Sequence, residues 1–167
     1  MSAINEKHNF TFEFRPVTKL FEEQVRLHPD KCAAATSKEA LTYSQLNEKA
    51  NRIANSLIEK GVGREVIVGV VLDRCCDFYA VRQGILKAGG AFAVAAPDYP
   101  DDRIQFIFED AGVPFIITTK DIADERKDLF SKLPAAVLLL EELLEHDNSS
   151  NPDVKISEHD LCYCIYT

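Results

Sequence analysis

Val66-Ile67-Val68-Gly69-Val70-Val71-Leu72 is the stretch that decides the fold. A strand with one face in water alternates apolar and polar residues. This run has no polar position, so it reads as a strand covered on both faces, as in a parallel sheet with helices above and below. Upstream, Leu46, Ala50, Ile53, Ala54, Leu57 and Ile58 recur at three- and four-residue spacing behind Ser44, a good N-cap, until Gly61 and Gly63 end the helix. Downstream, a helical stretch from Asp77 to Lys87 closes at Gly89-Gly90, and Ala91 to Ala95 forms the next strand. Strand, helix and strand in that order make a crossover unit with parallel strands.

The alternation continues in both directions. Pro97-Asp98-Tyr99-Pro100 is a loop, Asp101 to Asp110 a helix carrying Ile104, Ile107 and Phe108, and Phe115 to Thr118 a buried strand. A helix is predicted over Asp121 to Lys132, a strand over Ala136 to Leu140 and a short helix over Glu141 to Glu145. Nearer the start, Arg15-Pro16 opens a helix bearing Val17, Leu20, Phe21 and Val25, and Pro29 marks its end. Cys32 to Thr36 and Leu41 to Tyr43 flank Ser37-Lys38-Glu39 as a hairpin. Asp147 to Asp153 is a surface loop by composition, and Leu161 to Tyr166 a strand with Tyr163 and Ile165 on one face and Cys162, Cys164 and Tyr166 on the other. The expected fold class is therefore α/β, a layered, mainly parallel sheet flanked by helices, over residues 15–167. Residues 1–14, polar with Phe10, Phe12 and Phe14 interspersed and no helical period, read as a linker or N-terminal arm.

With 167 residues, 46% of them hydrophobic, the chain can bury a sizeable core. Its formal net charge of -8 argues against nucleic acid or an anionic membrane surface as partner, since both require a basic face. No apolar run approaches the length of a bilayer span, and Met1 to Asn9 is polar where a signal peptide would be apolar. A cytoplasmic location is expected. Five cysteines, an odd number without an export signal, read as free thiols, and Cys162 and Cys164 as buried small hydrophobes rather than a metal pair.

No complete catalytic motif is present, and neither a catalytic nor a metal-binding residue is expected. Gly89-Gly90 reads as a helix C-cap and turn. Asp73-Arg74 follows the 66–72 strand at the carboxyl edge, where open α/β sheets bind ligands, although a strand-end ion pair is the commoner use of such a couple. Arg103, Asp110 and the cluster Glu141, Glu142 and Glu145 read as solvated helix faces.

Three ordered stretches add a resemblance. Leu41-Thr42-Tyr43-Ser44-Gln45-Leu46-Asn47 with Ala50, Asn51 and Ala54, then Leu86-Lys87-Ala88-Gly89-Gly90-Ala91-Phe92 followed by Pro97, Tyr99, Pro100 and Arg103, then Leu161-Cys162-Tyr163-Cys164-Ile165-Tyr166-Thr167, resemble the first core motifs of the adenylate-forming superfamily. The peptide-synthetase branch fits best, because Leu20-Phe21-Glu22-Glu23-Gln24 with His28-Pro29-Asp30 is similar to the opening that follows its condensation-domain linker. Two departures stand out. Gln45 replaces a glutamate, and Val94, Ala95 and Ala96 replace Pro, Leu and Asp.

The resemblance implies that residues 15–167 are the N-terminal portion of a nonribosomal peptide synthetase adenylation domain, part of its large N-terminal subdomain. The intact domain would join an amino or related carboxylic acid to ATP with Mg2+, release pyrophosphate, and pass the acyl group to a carrier-protein phosphopantetheine thiol in antibiotic or secondary-metabolite synthesis. Its implied partners are the remainder of the domain, the carrier protein, the condensation domain and the amino acid. In the family order the phosphate-binding loop follows Thr167, so Thr167 is the cofactor-binding residue implied here, and no ATP or Mg2+ is expected to bind this segment alone. Two other readings stand beside this one: a non-catalytic α/β binding or scaffold module of adenylation ancestry, and a fragment of an acyl-CoA ligase.

Overall fold

In the computed structural model, residues 14–167 are described. Apart from Phe14, the linker or arm read over residues 1–14 lies outside them. Helix α1 (Val17–Leu27) precedes an antiparallel hairpin of β1 (Cys32–Ala35) and β2 (Ala40–Thr42), followed by the long helix α2 (Tyr43–Glu59). Then come β3 (Ile67–Val71), α3 (Cys76–Lys87), β4 (Ala91–Val94), α4 (Asp101–Asp110) and β5 (Phe115–Thr118). The chain finishes with α5 (Lys120–Glu125), α6 (Lys127–Phe130), β6 (Ala136–Leu139), α7 (Leu140–Leu144) and β7 (Tyr163–Cys164).

The main sheet has the order β6-β5-β3-β4-β7, and every pairing in it is parallel. The 66–72 run supplies its central strand, as its uniform apolarity requires. Val68, Val70 and Leu72 enter one core with residues of α2, α3 and α7, whereas Val71 enters a second core with residues of α4, α5 and α6. Two cores, one on each face, leave no solvated side for polar residues.

Helix α2 starts two residues earlier than Ser44 suggested. Thr42 is the N-cap: its hydroxyl accepts from Gln45 N at 3.2 Å, and Gln45 Oε1 accepts from Thr42 N at 2.9 Å. A glutamine completes this reciprocal box as a glutamate would, so the departure at Gln45 leaves the cap intact. Leu46, Ala50, Ile53, Ala54 and Leu57 are buried, but Ile58 is exposed. The helix expected over 121–132 divides at Arg126, whose φ of -112° and ψ of 31° break the helical ladder. The Arg126 guanidinium donates to Tyr99 O at 3.0 Å and Asp101 Oδ1 at 2.8 Å, and the bend turns Leu129 and Phe130 into the second core.

Gly89 has φ +84° and ends α3, with Gly90 N donating to Ile85 O at 3.0 Å, the C-terminal turn expected of this pair. Gly84, inside α3, has a different reason to be glycine. A Cβ there would lie 2.6 Å from Ile53 Cγ2 and 3.0 Å from Ala50 O, so α2 and α3 touch along a surface that admits no methyl group. Gly84→Ala gains about 1 kcal/mol of helix propensity, yet overpacking costs about 1–3 kcal/mol. We expect a lower urea midpoint with an unchanged m-value. A variant as stable as the parent would show that the two helices separate without cost.

Candidate functional site

Because all five strands run the same way, their carboxyl ends share one edge. The helices that follow β3 and β4 lie on opposite faces, α3 in the first core and α4 in the second, so these adjacent strands form a topological switch point. A cleft of about 670 Å³ opens there, lined by Asp73, Arg74 and Phe78 from the β3 side and by Ala96, Pro97 and Asp98 from the β4 side. Asp73 and Arg74 are exposed, and among the described residues no ion pair includes either, so the expected strand-end salt bridge gives way to two charges at the cleft mouth. The Val94-Ala95-Ala96 departure does not open the turn, because Tyr99 N donates to Ala96 O at 3.1 Å and Ala95 N to Val70 O at 3.0 Å.

The N-terminus of α3, which faces this edge, already holds an anion: Cys76 N donates to Glu39 Oε1 at 2.8 Å. Burial and that carboxylate push the Cys76 thiol above its ordinary pKa, which keeps it a neutral core residue rather than a nucleophile. The glycines with positive φ, Gly61, Gly89 and Gly112, follow helices α2, α3 and α4 and therefore lie toward the amino edge. Among the described residues, none of these left-handed glycines cradles a phosphate at the carboxyl edge, and no group of three or more His, Cys, Asp or Glu is placed to hold a metal. These residues do not by themselves fit ATP with Mg2+.

On the other side of β4, β7 pairs through Phe92↔Tyr163 and Ala93↔Cys164. It is shorter than the strand read over Leu161 to Tyr166, and Cys162 is exposed where burial was expected, because β7 is the sheet's edge strand in this chain. The alternation of faces holds from Tyr163 onward, with Tyr163 stacked on Phe92 at 5.8 Å between ring centroids and Cys164 and Tyr166 meeting the second core. Cys162, read on the face of Cys164, instead borders the α1 and α3 side with Tyr163, because it precedes the paired strand. Helix α4 then fixes the exit of the chain. Tyr166 Oη donates to Asp110 Oδ2 at 2.7 Å, its ring meets Phe106 edge-on, and Arg103 Nη2 donates to Thr167 O at 3.2 Å.

Arg103 and Asp110 are thus strand-holding groups rather than a merely solvated face. No local sequence signal revealed this, since their partners lie 64 and 56 residues away. Because β7 runs parallel to β4, Thr167 follows it to the carboxyl edge of the sheet. The Asp110 carboxylate, accepting the phenol's hydrogen bond, raises the Tyr166 pKa to about 12. The raised value favours the folded state below the unfolded tyrosine pKa of about 10, and that contribution is lost as pH rises through about 12. An alkaline ultraviolet titration should therefore show one late tyrosine that Asp110→Asn brings down; a titration unchanged by the substitution would exclude the bond.

Comparison with known proteins agrees with this geometry. The family described as AMP-binding enzyme matches residues 21–167. Zwittermicin A synthase ZmaJ of Bacillus cereus is 41% identical over 151 residues, covering 90% of this chain and 28% of the relative. Gramicidin S synthase 2 of Brevibacillus brevis is 37% identical over 172 residues, covering 97% of this chain and 4% of the relative. A crystal structure of the nonribosomal peptide synthetase FmoA3, in a form bound to alpha-methyl-L-serine-AMP, superposes with a TM-score of 0.83 at 32% identity, covering 92% of this chain and 17% of that one. The chain therefore spans less than a third of each of these proteins.

Proposed function

The chain belongs to the AMP-binding enzyme family, and from that premise we propose that residues 15–167 are the N-terminal portion of an amino-acid-activating adenylation domain of a nonribosomal peptide synthetase. In the joined domain, a carboxylate oxygen of the amino acid attacks the α-phosphorus of ATP, giving an acyl-adenylate and pyrophosphate. A carrier-protein phosphopantetheine thiol then takes the acyl group and AMP leaves. Mg2+ bound with ATP would neutralise phosphate charge in that domain. Residues 1–14 would link to a condensation domain, and the assembly would work in the cytoplasm on an antibiotic or related metabolite. Among the described residues no helix is long and apolar enough to cross a membrane.

The observation that carries the proposal is the delivery of Thr167 to the carboxyl edge of the sheet, the edge at which the switch-point cleft opens, by the residues after β7 that Arg103, Phe106 and Asp110 hold. Thr167 is the nucleotide-contacting residue of this segment; the rest of the chain holds the sheet that aims it. The remainder of the domain is the partner this fold most directly accommodates. Tyr163 on the outer strand and Ile165 just after it are 53% and 72% exposed, and apolar hollows of about 350 and 450 Å³ run between β7, α3 and α1, both bordered by Val17, Leu86 and Cys162. Such an apolar edge is complementary to further sheet. The test is amino-acid-dependent exchange of labelled pyrophosphate into ATP after fusion of the chain to the downstream part of a relative.

A further inference from the structure

Strands β6 and β7 occupy opposite edges of the sheet, so α7 and residues 145–162 together cross its whole width, roughly 19 Å at the usual strand spacing. Residues 145–162 run without helix or strand, which leaves backbone carbonyls needing donors. Side chains of α2 supply them. Asn51 Nδ2 donates to Ser149 O at 2.8 Å, Asn55 Nδ2 to Asn148 O at 3.1 Å and Ser150 O at 3.0 Å, and Arg52 Nη1 to His146 O at 2.7 Å. Nearer β7, Arg64 pairs with Asp160 at 2.6 Å and Glu65 Oε1 accepts from Leu161 N at 3.2 Å.

At the centre of this strap, one oxygen collects three donors. Asn151 Oδ1 accepts from Asn47 Nδ2 at 3.1 Å, Asn51 Nδ2 at 2.8 Å and Lys87 Nζ at 3.0 Å. The Lys87 ammonium is almost wholly buried and needs partners; Glu22 at 2.6 Å is the second. Asn47 and Asn51 belong to the first family-like motif and Lys87 to the second, yet none of them lies at the carboxyl edge where the chemistry was sought. Their shared partner explains why polar groups occupy these positions of two helices that otherwise pack through apolar faces.

We propose that Asn47, Asn51 and Lys87 form a latch on Asn151 that holds the 145–162 strap and so delivers β7 to the sheet. Asn151 is then a positioning residue for the adenylation reaction, a part of the inference that rests on the function proposed above. The latch pre-orders β7 by holding the segment before it, and the α4 contacts fix the residues after it.

The test compares amide hydrogen exchange in the purified 167-residue chain and in its Asn151→Leu and Asn151→Asp variants. Asn151 is an exposed residue overall whose amide oxygen faces α2 and Lys87, so exchange in β3 and β5 serves as the internal control for any disturbance of the core. Leucine removes the acceptor; aspartate keeps one. Asn151→Leu should speed exchange in residues 146–166 by about tenfold or more while β3 and β5 are unchanged, and Asn151→Asp should restore the parent rate. Unchanged exchange in 146–166, acceleration spread equally to β3 and β5, or failure of aspartate to restore protection would each overturn the latch. No nucleotide is present in this measurement, so its failure is distinct from failure of the adenylation reading, which pyrophosphate exchange reports separately.

Discussion

Fused after Thr167 to the downstream part of its Bacillus cereus relative, the chain should exchange labelled pyrophosphate into ATP in the presence of the right amino acid, whereas the 167-residue chain alone should not. The difference expected is at least about a thousandfold, because positioned donors to developing charge are worth that much singly and the described residues supply no phosphate cradle. What this chain contributes is a rigid edge: β3 and β4 paired in register over four residues each, a closed β4 turn, and a β7 exit tied to α4 by three side chains. Robust exchange by the isolated chain would sink the assignment of the chemistry to a joined domain. A folded fusion that exchanges with none of a broad amino-acid panel would favour the non-catalytic scaffold.

The same downstream part, added as a separate polypeptide, should raise the melting temperature. A partner that binds only the folded state at about a hundred times its Kd contributes about 2.7 kcal/mol. For a domain of this size, that corresponds to a rise of roughly 5–11 °C. The surface responsible is the outer side of β7 and the hollows toward α1, where Val17 and Leu20 remain exposed although they sit on the apolar stripe of their helix. Ile165→Asp provides the control: at 72% exposure the substitution should scarcely change the isolated chain, yet a charge on the joining edge should remove most of the gain. Melting that ignores the partner would mean that the sheet is complete at β7.

Much of the fold was legible because it is written in short-range patterns. The uniform apolarity of Val66 to Leu72 implied a strand covered on both faces; helix periodicity placed Asp101 to Asp110 and the body of α2 correctly; and Gly89-Gly90 marked a helix end. Boundaries failed where a side chain made a longer-range or reciprocal bond, as at Thr42 with Gln45 and at Arg126 with Asp101. The strap was legible only as a loop, since its composition says nothing of the asparagines on α2 that hold it.

The sequence by itself determined the class of fold, the alternation of its elements and, through ordered motifs, the family. The tertiary structure alone decided the strand order, and with it the switch-point cleft, the edge position of β7, and the meeting of Arg103 and Asp110 with the last two residues. The physical reason is range. Periodicity and capping act over one or two turns of chain, whereas which strand lies beside which, and which side chains then meet, is set by how two apolar faces are jointly covered.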